Sequence, residues 1–130
     1  MFIGTSISTS PAISAAAGAK IEGGAGKAVK FDGSGNIILC ATAGEAALGF
    51  LILQTADAVE QGDSVTVQIS GRAQAMAGGT FQAGDLLAVD TEGTLAKATA
   101  GNSVVAQALG AGAKGGYVEV LICKGGQLNA

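Results

Sequence analysis

Residues 61–70, Gln-Gly-Asp-Ser-Val-Thr-Val-Gln-Ile-Ser, decide the fold class, because a Gly-Asp turn there opens a strand of alternating apolar and polar residues. Val65, Val67 and Ile69 would lie on one face and the polar residues between them on the other, as in a strand with one buried face. A second Gly-Asp pair precedes the apolar run at 86–89, Leu-Leu-Ala-Val. Short apolar runs separated by such turns are typical of an all-β domain.

Strand and turn signals continue along the chain from residue 27 onward. The Asp-Gly-Ser-Gly sequence at 32–35 predicts a hairpin turn, and the continuous apolar run at 48–53 predicts a strand buried on both faces. Two short segments, 41–47 and 55–60, are the only candidates for helical turns. We therefore predict about nine strands in a small, all-β, sandwich-like or barrel-like domain.

The first 26 residues differ in composition from the rest of the chain. They contain the only proline, Pro11, together with many Ser, Thr, Ala and Gly residues and isolated apolar side chains. We interpret residues 1–26 as an extended N-terminal arm and residues 27–130 as the β-rich domain. A disordered terminus fits the same composition equally well.

The charge pattern argues against two classes of partner. The formal net charge is −3, and both signs are scattered singly, so there is no basic stripe to neutralise phosphates. This disfavours direct binding to nucleic acid. There is no apolar run of about 18 residues, so no membrane span is predicted. No Lys or Arg precedes Lys20, so the basic start of a secretory signal is missing and we expect synthesis in a cytoplasm without export by that route.

The sequence offers little material for catalysis or metal binding. It contains no histidine, which removes the usual base of serine and cysteine triads, and it has no Cys-x-x-Cys pair. Cys40 and Cys123 each end an apolar run, and we predict two reduced, half-buried thiols. A disulfide remains open only if their strands are neighbours. We predict no enzymatic activity, no catalytic residue, no cofactor and no metal.

Two motifs resemble ligand loops only in part. Residues 110–115 match Gly-x-Gly-x-x-Gly, but a predicted strand at 117–120 follows them, whereas a dinucleotide site requires a helix there. We predict a flexible hairpin loop. Asp32, Ser34 and Asn36 alternate like the start of a calcium loop. Ile37 then stands where such a loop requires glycine and Ala43 where it requires a bidentate Glu, so we predict a side-chain-stabilised turn.

Several turn-and-strand phrases stand between residues 61 and 109. They are Gln61-Gly62-Asp63-Ser64-Val65-Thr66-Val67, Gly71, Ala83-Gly84-Asp85-Leu86-Leu87, Asp90, Gly93 and Val104-Val105-Ala106-Gln107-Ala108-Leu109. Together they resemble the capsid decoration, or cement, proteins of tailed double-stranded-DNA bacteriophages. The resemblance extends from Lys27 to the end of the chain and is weaker in the arm.

The resemblance implies a small β-rich domain of the tulip type. It further implies a structural protein that binds the outer capsid surface of the virion, commonly as a homotrimer, and bridges subunits of the major capsid protein. It also implies an N-terminal arm that clasps neighbouring capsid subunits. An extended arm can pair with an exposed strand edge while its apolar side chains fill pockets. We therefore expect capsid contacts from Phe2, Ile3, Ile7 and Ile13.

Two other functions fit the same composition. One is a small β carrier or ligand-binding module, since Gly-Asp turns also occur in lipoyl-type carrier domains. Those domains present a lysine at a hairpin tip, and the residues around Met76 contain none. The other is a tail-associated or adhesin-like structural subunit.

Overall fold

A computed structural model describes residues 12–52, 55 and 57–127 of the chain. All regular structure in these residues is β-strand, and they contain no helix that could cross a membrane. The strands are β1 (Ala12–Ala16), β2 (Ile21–Glu22), β3 (Ala28–Phe31), β4 (Ile37–Leu39), β5 (Gly49–Leu51), β6 (Ala58–Val59), β7 (Ser64–Gln68), β8 (Gly71–Met76), β9 (Leu86–Val89), β10 (Leu95–Lys97), β11 (Ser103–Ala108) and β12 (Tyr117–Gln127).

Ten of the strands form two antiparallel five-stranded sheets, and β2 pairs with β6. The sheet orders are β1-β7-β5-β3-β4 and β10-β9-β11-β12-β8. The all-β prediction is confirmed, although neither five-stranded sheet closes into a barrel over the described ranges. Each sheet nevertheless curls enough to bring its two edges together at one isolated β-bridge. The bridge joins Ala17 to Ile37 in the first sheet and Ala77 to Leu95 in the second.

The two five-stranded sheets are copies of one arrangement. Written from its other edge, the second order is β8-β12-β11-β9-β10, which matches the first strand for strand. β1 corresponds to β8, β3 to β9, β4 to β10, β5 to β11 and β7 to β12. The described chain is therefore a tandem duplication, with repeat 1 in residues 12–69 and repeat 2 in residues 71–127.

Hydrogen bonds outside the strands recur at equivalent positions of the two repeats. The amide of Gly18 donates to the carbonyl of Ile37 at 2.8 Å, and the amide of Gly78 donates to that of Leu95 at 2.7 Å. Cross-strand partners recur as well, since Phe31 faces Ile37 in β3–β4 as Val89 faces Leu95 in β9–β10. The equivalence therefore holds at these positions. The amides of Cys40 and Ala98 likewise donate to the carbonyls of Ala28 and Leu86, so Cys40 corresponds to Ala98 and repeat 1 has one extra residue before the next turn.

The clearest sequence trace of the duplication is an Ala-Thr-Ala-Gly turn, present at 41–44 and again at 98–101. A side chain one residue later closes each turn. A carboxylate oxygen of Glu45 accepts the threonine amide of the first turn at 2.8 Å, and the Asn102 side-chain oxygen accepts that of the second at 2.9 Å. These bonds fix a compact turn, so the predicted helical turn at 41–47 does not form.

The cores show how the repeats are joined. The core of repeat 1 comprises Ala17, Ile21, Val29, Ile37, Leu51, Val59, Val65 and Val67. The larger cluster contains the core of repeat 2 together with three buried residues of repeat 1, namely Ala28, Cys40 and Phe50. Repeat 1 thus packs through these three side chains against the interior of repeat 2.

Two local predictions are confirmed and one is refined. β3 and β4 form the expected hairpin, where the Asp32 carboxylate accepts the amide of Ser34 at 2.8 Å. The expected buried strand is β5, whose three residues are all buried. The glycine loop after β11 does join it to β12, but Phe81 holds this loop by a β-bridge to Gly112, where a Cβ would overlap the Phe81 ring.

Of the arm expected over residues 1–26, the structure describes residues 12–26. β1 pairs with β7 over five residue pairs, and β2 pairs with β6, so residues 12–22 contribute to the sheets of repeat 1. Residues 1–11 lie outside the described ranges. The division of the chain at residue 26 stays a prediction.

Candidate interaction surface

The expected contact residues divide into two groups. Phe2, Ile3 and Ile7 lie outside the described residues. Ile13 lies in β1 opposite Val67, where it is partly buried against the core of repeat 1. Its part in binding a capsid stays a prediction.

Neither cysteine is poised for reaction. Both are free thiols, and they belong to different apolar clusters. Burial raises the pKa of Cys40 to about 12 and also raises the pKa of Cys123. Both therefore remain protonated near neutral pH and pack as small apolar side chains.

The least exposed ion pair among the described residues joins Lys30 on β3 to Glu45 in the turn that precedes β5. Their side-chain atoms lie 2.6 Å apart, and the Glu45 carboxylate also accepts the amides of Ala41 and Thr42, each at 2.8 Å. Burial of Glu45 opposes its ionisation, but these hydrogen bonds prevail and lower its pKa, while the hydrogen bond to Glu45 raises the pKa of Lys30. This contact organises a turn and leaves no free carboxylate there.

We predict that Glu45→Gln lowers the free energy of unfolding by about 1–2 kcal/mol at pH 7, because the charge-assisted hydrogen bonds are lost. The pKa of Glu45 is lowered by folding, so its contribution is present above the ordinary carboxylate value and disappears as the pH falls through the folded pKa. Urea unfolding of both proteins from pH 2 to 8 would show the difference shrinking in acid. Glu22→Gln removes an exposed pair with Lys20 and serves as the control, with little effect expected. Equal effects of the two substitutions would contradict this assignment.

Among the described residues no three acidic or cysteine side chains are grouped so that they could hold a metal ion. A groove of about 240 Å³ runs between the repeats. Its lining consists of Leu51, Ile52, Gln68, Arg72, Ala73, Gln74 and Glu119. Glu119 is already paired with Arg72 at 2.6 Å, so the groove presents apolar and amide surface together with a neutralised ion pair.

Apolar exposure is concentrated on the outer face of repeat 2. Gln107 on β11 faces Leu86 on β9 and Leu121 on β12, so the three side chains lie in one row on the same side of the sheet. Leu109 follows two residues after Gln107 and continues the ladder by donating its amide to Glu119 at 2.9 Å, so it lies on that side as well. Leu86, Leu109 and Leu121 are 40–43% exposed. We call these three residues the leucine face.

Sequence reasoning missed the leucine face, although a signal was present. In β12, Val118 and Val120 point into the core and Leu121 occupies the opposite register. A large apolar residue at an outward position of a strand with one buried face is exposed unless another element covers it. Two further large apolar residues are exposed in the described chain, Phe31 at 46% in β3 and Tyr117 at 50% at the start of β12.

No protein-family model matches this chain, and no curated protein sequence matches it. Solved structures do include the same small all-β fold. One is the crystal structure of the N base of the head fiber gp8.5 in bacteriophage phi29, with a TM-score of 0.67 and 19% sequence identity. The match covers 92% of this chain and 98% of that one. At this identity the likeness establishes a shared fold.

Proposed function

We propose that this chain is a structural, non-enzymatic protein of a bacteriophage head, which decorates the outer capsid surface. The observation that carries the proposal is the fold shared with a phage head fiber base over nearly the whole of both chains. The turn-and-strand phrases between residues 61 and 109 point to the same class of virion protein. The described surface supports the proposal, since it offers exposed apolar patches and paired charges.

In this role the chain binds the major capsid protein and forms a homotrimer that bridges neighbouring capsid subunits. Each contact can be weak, because contacts repeated around a symmetry axis act together and give avidity. The N-terminal residues Phe2, Ile3 and Ile7 add main-chain pairing and pocket filling at a neighbouring subunit. The shell is then held by added interface area against the pressure of the packaged DNA.

Removal and restoration of the protein test this proposal. Phage particles that lack it should release their DNA at lower temperature and after milder osmotic shock than complete particles. Adding the purified protein to the deficient particles should restore resistance. Equal resistance of deficient and complete particles would contradict a stabilising role.

A second candidate is the base of a head fiber, which the name of the matched structure favours. Both candidates place the chain on the head surface. Electron microscopy of labelled virions separates them, because a fiber base carries a long projection from each bound trimer and a decoration protein does not. Label on the tail would contradict both.

A further inference from the structure

The contact between the two repeats is directional. Repeat 1 contributes a docking face, whose residues are Ala28, Cys40, Gly44 and Phe50. Repeat 2 contributes a receiving face, whose residues are Met76, Val89, Gly93 and Ser103. The amide of Ala28 donates to the carbonyl of Gly93 at 2.7 Å, and the amide of Gly44 donates to the carbonyl of Val89 at 2.8 Å. The docking side chains are at most 1% exposed.

The duplication places a second copy of each face on the molecule. The docking face of repeat 2 is formed by the equivalents of the first, Leu86, Ala98, Gly101 and Gln107. Ala98 is already buried in a cluster with Ala88 and Val104, so Leu86 is the apolar side chain that this face leaves exposed. The equivalence rests on matching partners. Ala28 faces Phe50 as Leu86 faces Gln107. The receiving face of repeat 1 is formed likewise by Ala16, Phe31, Gly35 and Ala46.

One position of each face differs in burial between its two copies. Ala28 is 0% exposed in the covered docking face, and its equivalent Leu86 is 40% exposed. Val89 is 2% exposed in the covered receiving face, and its equivalent Phe31 is 46% exposed. Each uncovered face thus presents a large apolar side chain at a position whose counterpart is buried within the chain.

The surroundings of the two uncovered faces are compatible with the same contact. Ile52 and Gln68 of repeat 1 line the groove between the repeats, and their equivalents in repeat 2 are Leu109 and Leu121 of the leucine face. The opposite wall of that groove carries Arg72 and Glu119. The equivalents of these two residues in repeat 1 are Ala12 and Thr66. In a contact between two copies, the leucine face of one copy would therefore pack against the uncharged surface of Ala12 and Thr66 in the other. No charged side chain would have to lose its hydration there.

We propose that copies of this chain associate head to tail, with the docking face of repeat 2 in one copy packed on the receiving face of repeat 1 in the next. This contact between two chains would have the same arrangement as the contact between repeat 1 and repeat 2 within one chain. Such a heterologous contact closes into a ring when the rotation allows. Three copies then give a ring of six stacked repeats. The three-membered ring depends on the homotrimer of the proposed function. The contact between the two faces does not depend on it.

Two single substitutions test this contact in the full chain, Leu86→Asp on one face and Phe31→Asp on the other. Both side chains are substantially exposed, so folding is preserved, and circular dichroism melts would verify this. Sedimentation should show concentration-dependent trimers for the wild type. Each variant alone should lose association by about 30-fold or more, as expected for a central apolar contact. Lys97→Asp, an exposed change of charge outside both faces, is the control and should associate like the wild type.

Mixing the two variants provides the decisive measurement. Each keeps the face that the other has lost, so an equimolar mixture should form a one-to-one dimer that cannot grow further. A monomeric wild type, variants that assemble normally, or a mixture that stays monomeric would each overturn the proposal. Binding of the wild type to phage heads is scored separately. Head binding without head-to-tail association refutes this contact alone, and association without head binding refutes the proposed function alone.

Discussion

Phe50→Ala is expected to lower the free energy of unfolding by about 3–5 kcal/mol, the range for removing a large aromatic side chain from a packed core. Phe50 is 1% exposed and belongs to the cluster that joins repeat 1 to repeat 2. Its loss would leave a cavity at the contact between the repeats, so both repeats would be destabilised together. Urea unfolding followed by circular dichroism measures the change.

The chain offers a matched control in Phe31→Ala. Phe31 belongs to the same repeat and carries the same side chain, but it is 46% exposed. In the monomeric chain its replacement should cost about 1 kcal/mol or less, as for surface positions in general, so both variants are unfolded by urea at protein concentrations too low for association. If both substitutions had the same effect, the packing of repeat 1 against repeat 2 through Phe50 would be wrong.

Deletion of residues 2–11 is expected to weaken binding to expanded phage heads by about 100-fold or more, because a second, linked contact multiplies the affinity of the first. The deletion removes Phe2, Ile3 and Ile7 and ends before β1 begins at Ala12. The ladder between β1 and β7 therefore remains complete, and the thermal unfolding midpoint should be nearly unchanged. Co-sedimentation with heads measures the binding.

Two controls separate the arm from the sheet. An arm of equal length in which Phe2, Ile3 and Ile7 are all replaced by serine should bind as weakly as the deletion. Ile13→Ala should instead lower stability, because Ile13 packs on the core of repeat 1. Full binding by the serine arm would remove these three residues from the mechanism.

The sequence predicts those parts of the fold that depend on local chemistry. The alternation at 64–68 specifies a strand with one buried face, and β7 shows that burial pattern. The turn at 32–35 specifies its hairpin, because Asp32 can accept backbone amides of its own turn. These features need no information about distant residues. That is why they are the ones the sequence predicted correctly.

The duplication is harder to predict from sequence because the two repeats share backbone hydrogen bonds and strand pairing, and few of their side chains are the same. Equivalent hydrogen bonds, such as those of Gly18 and Gly78, tolerate almost any neighbouring side chain. Equivalent side chains then differ with their surroundings, as Ala28 and Leu86 do. The Ala-Thr-Ala-Gly turn survives in both repeats because its backbone forms the same closed turn. That repeated turn, whose threonines are Thr42 and Thr99, was the available sign of a repeat.

The interaction surface could not be derived from local patterns. Leu86, Gln107 and Leu121 come from three strands, and only the register of β9, β11 and β12 brings them into one row. The short helical turn predicted at 41–47 failed for a related reason. Glu45 accepts two backbone amides and a lysine from another strand, and those bonds favour a closed turn over a helix.

Cryo-electron microscopy of the phage particle that carries this protein tests the central claim most directly. A reconstruction should show density for both repeats on the outside of the head, at positions where capsid subunits meet, with the N-terminal residues reaching a neighbouring subunit. The same density should be missing from particles that lack the protein. Heads whose outer surface is identical with and without the protein would contradict the claim.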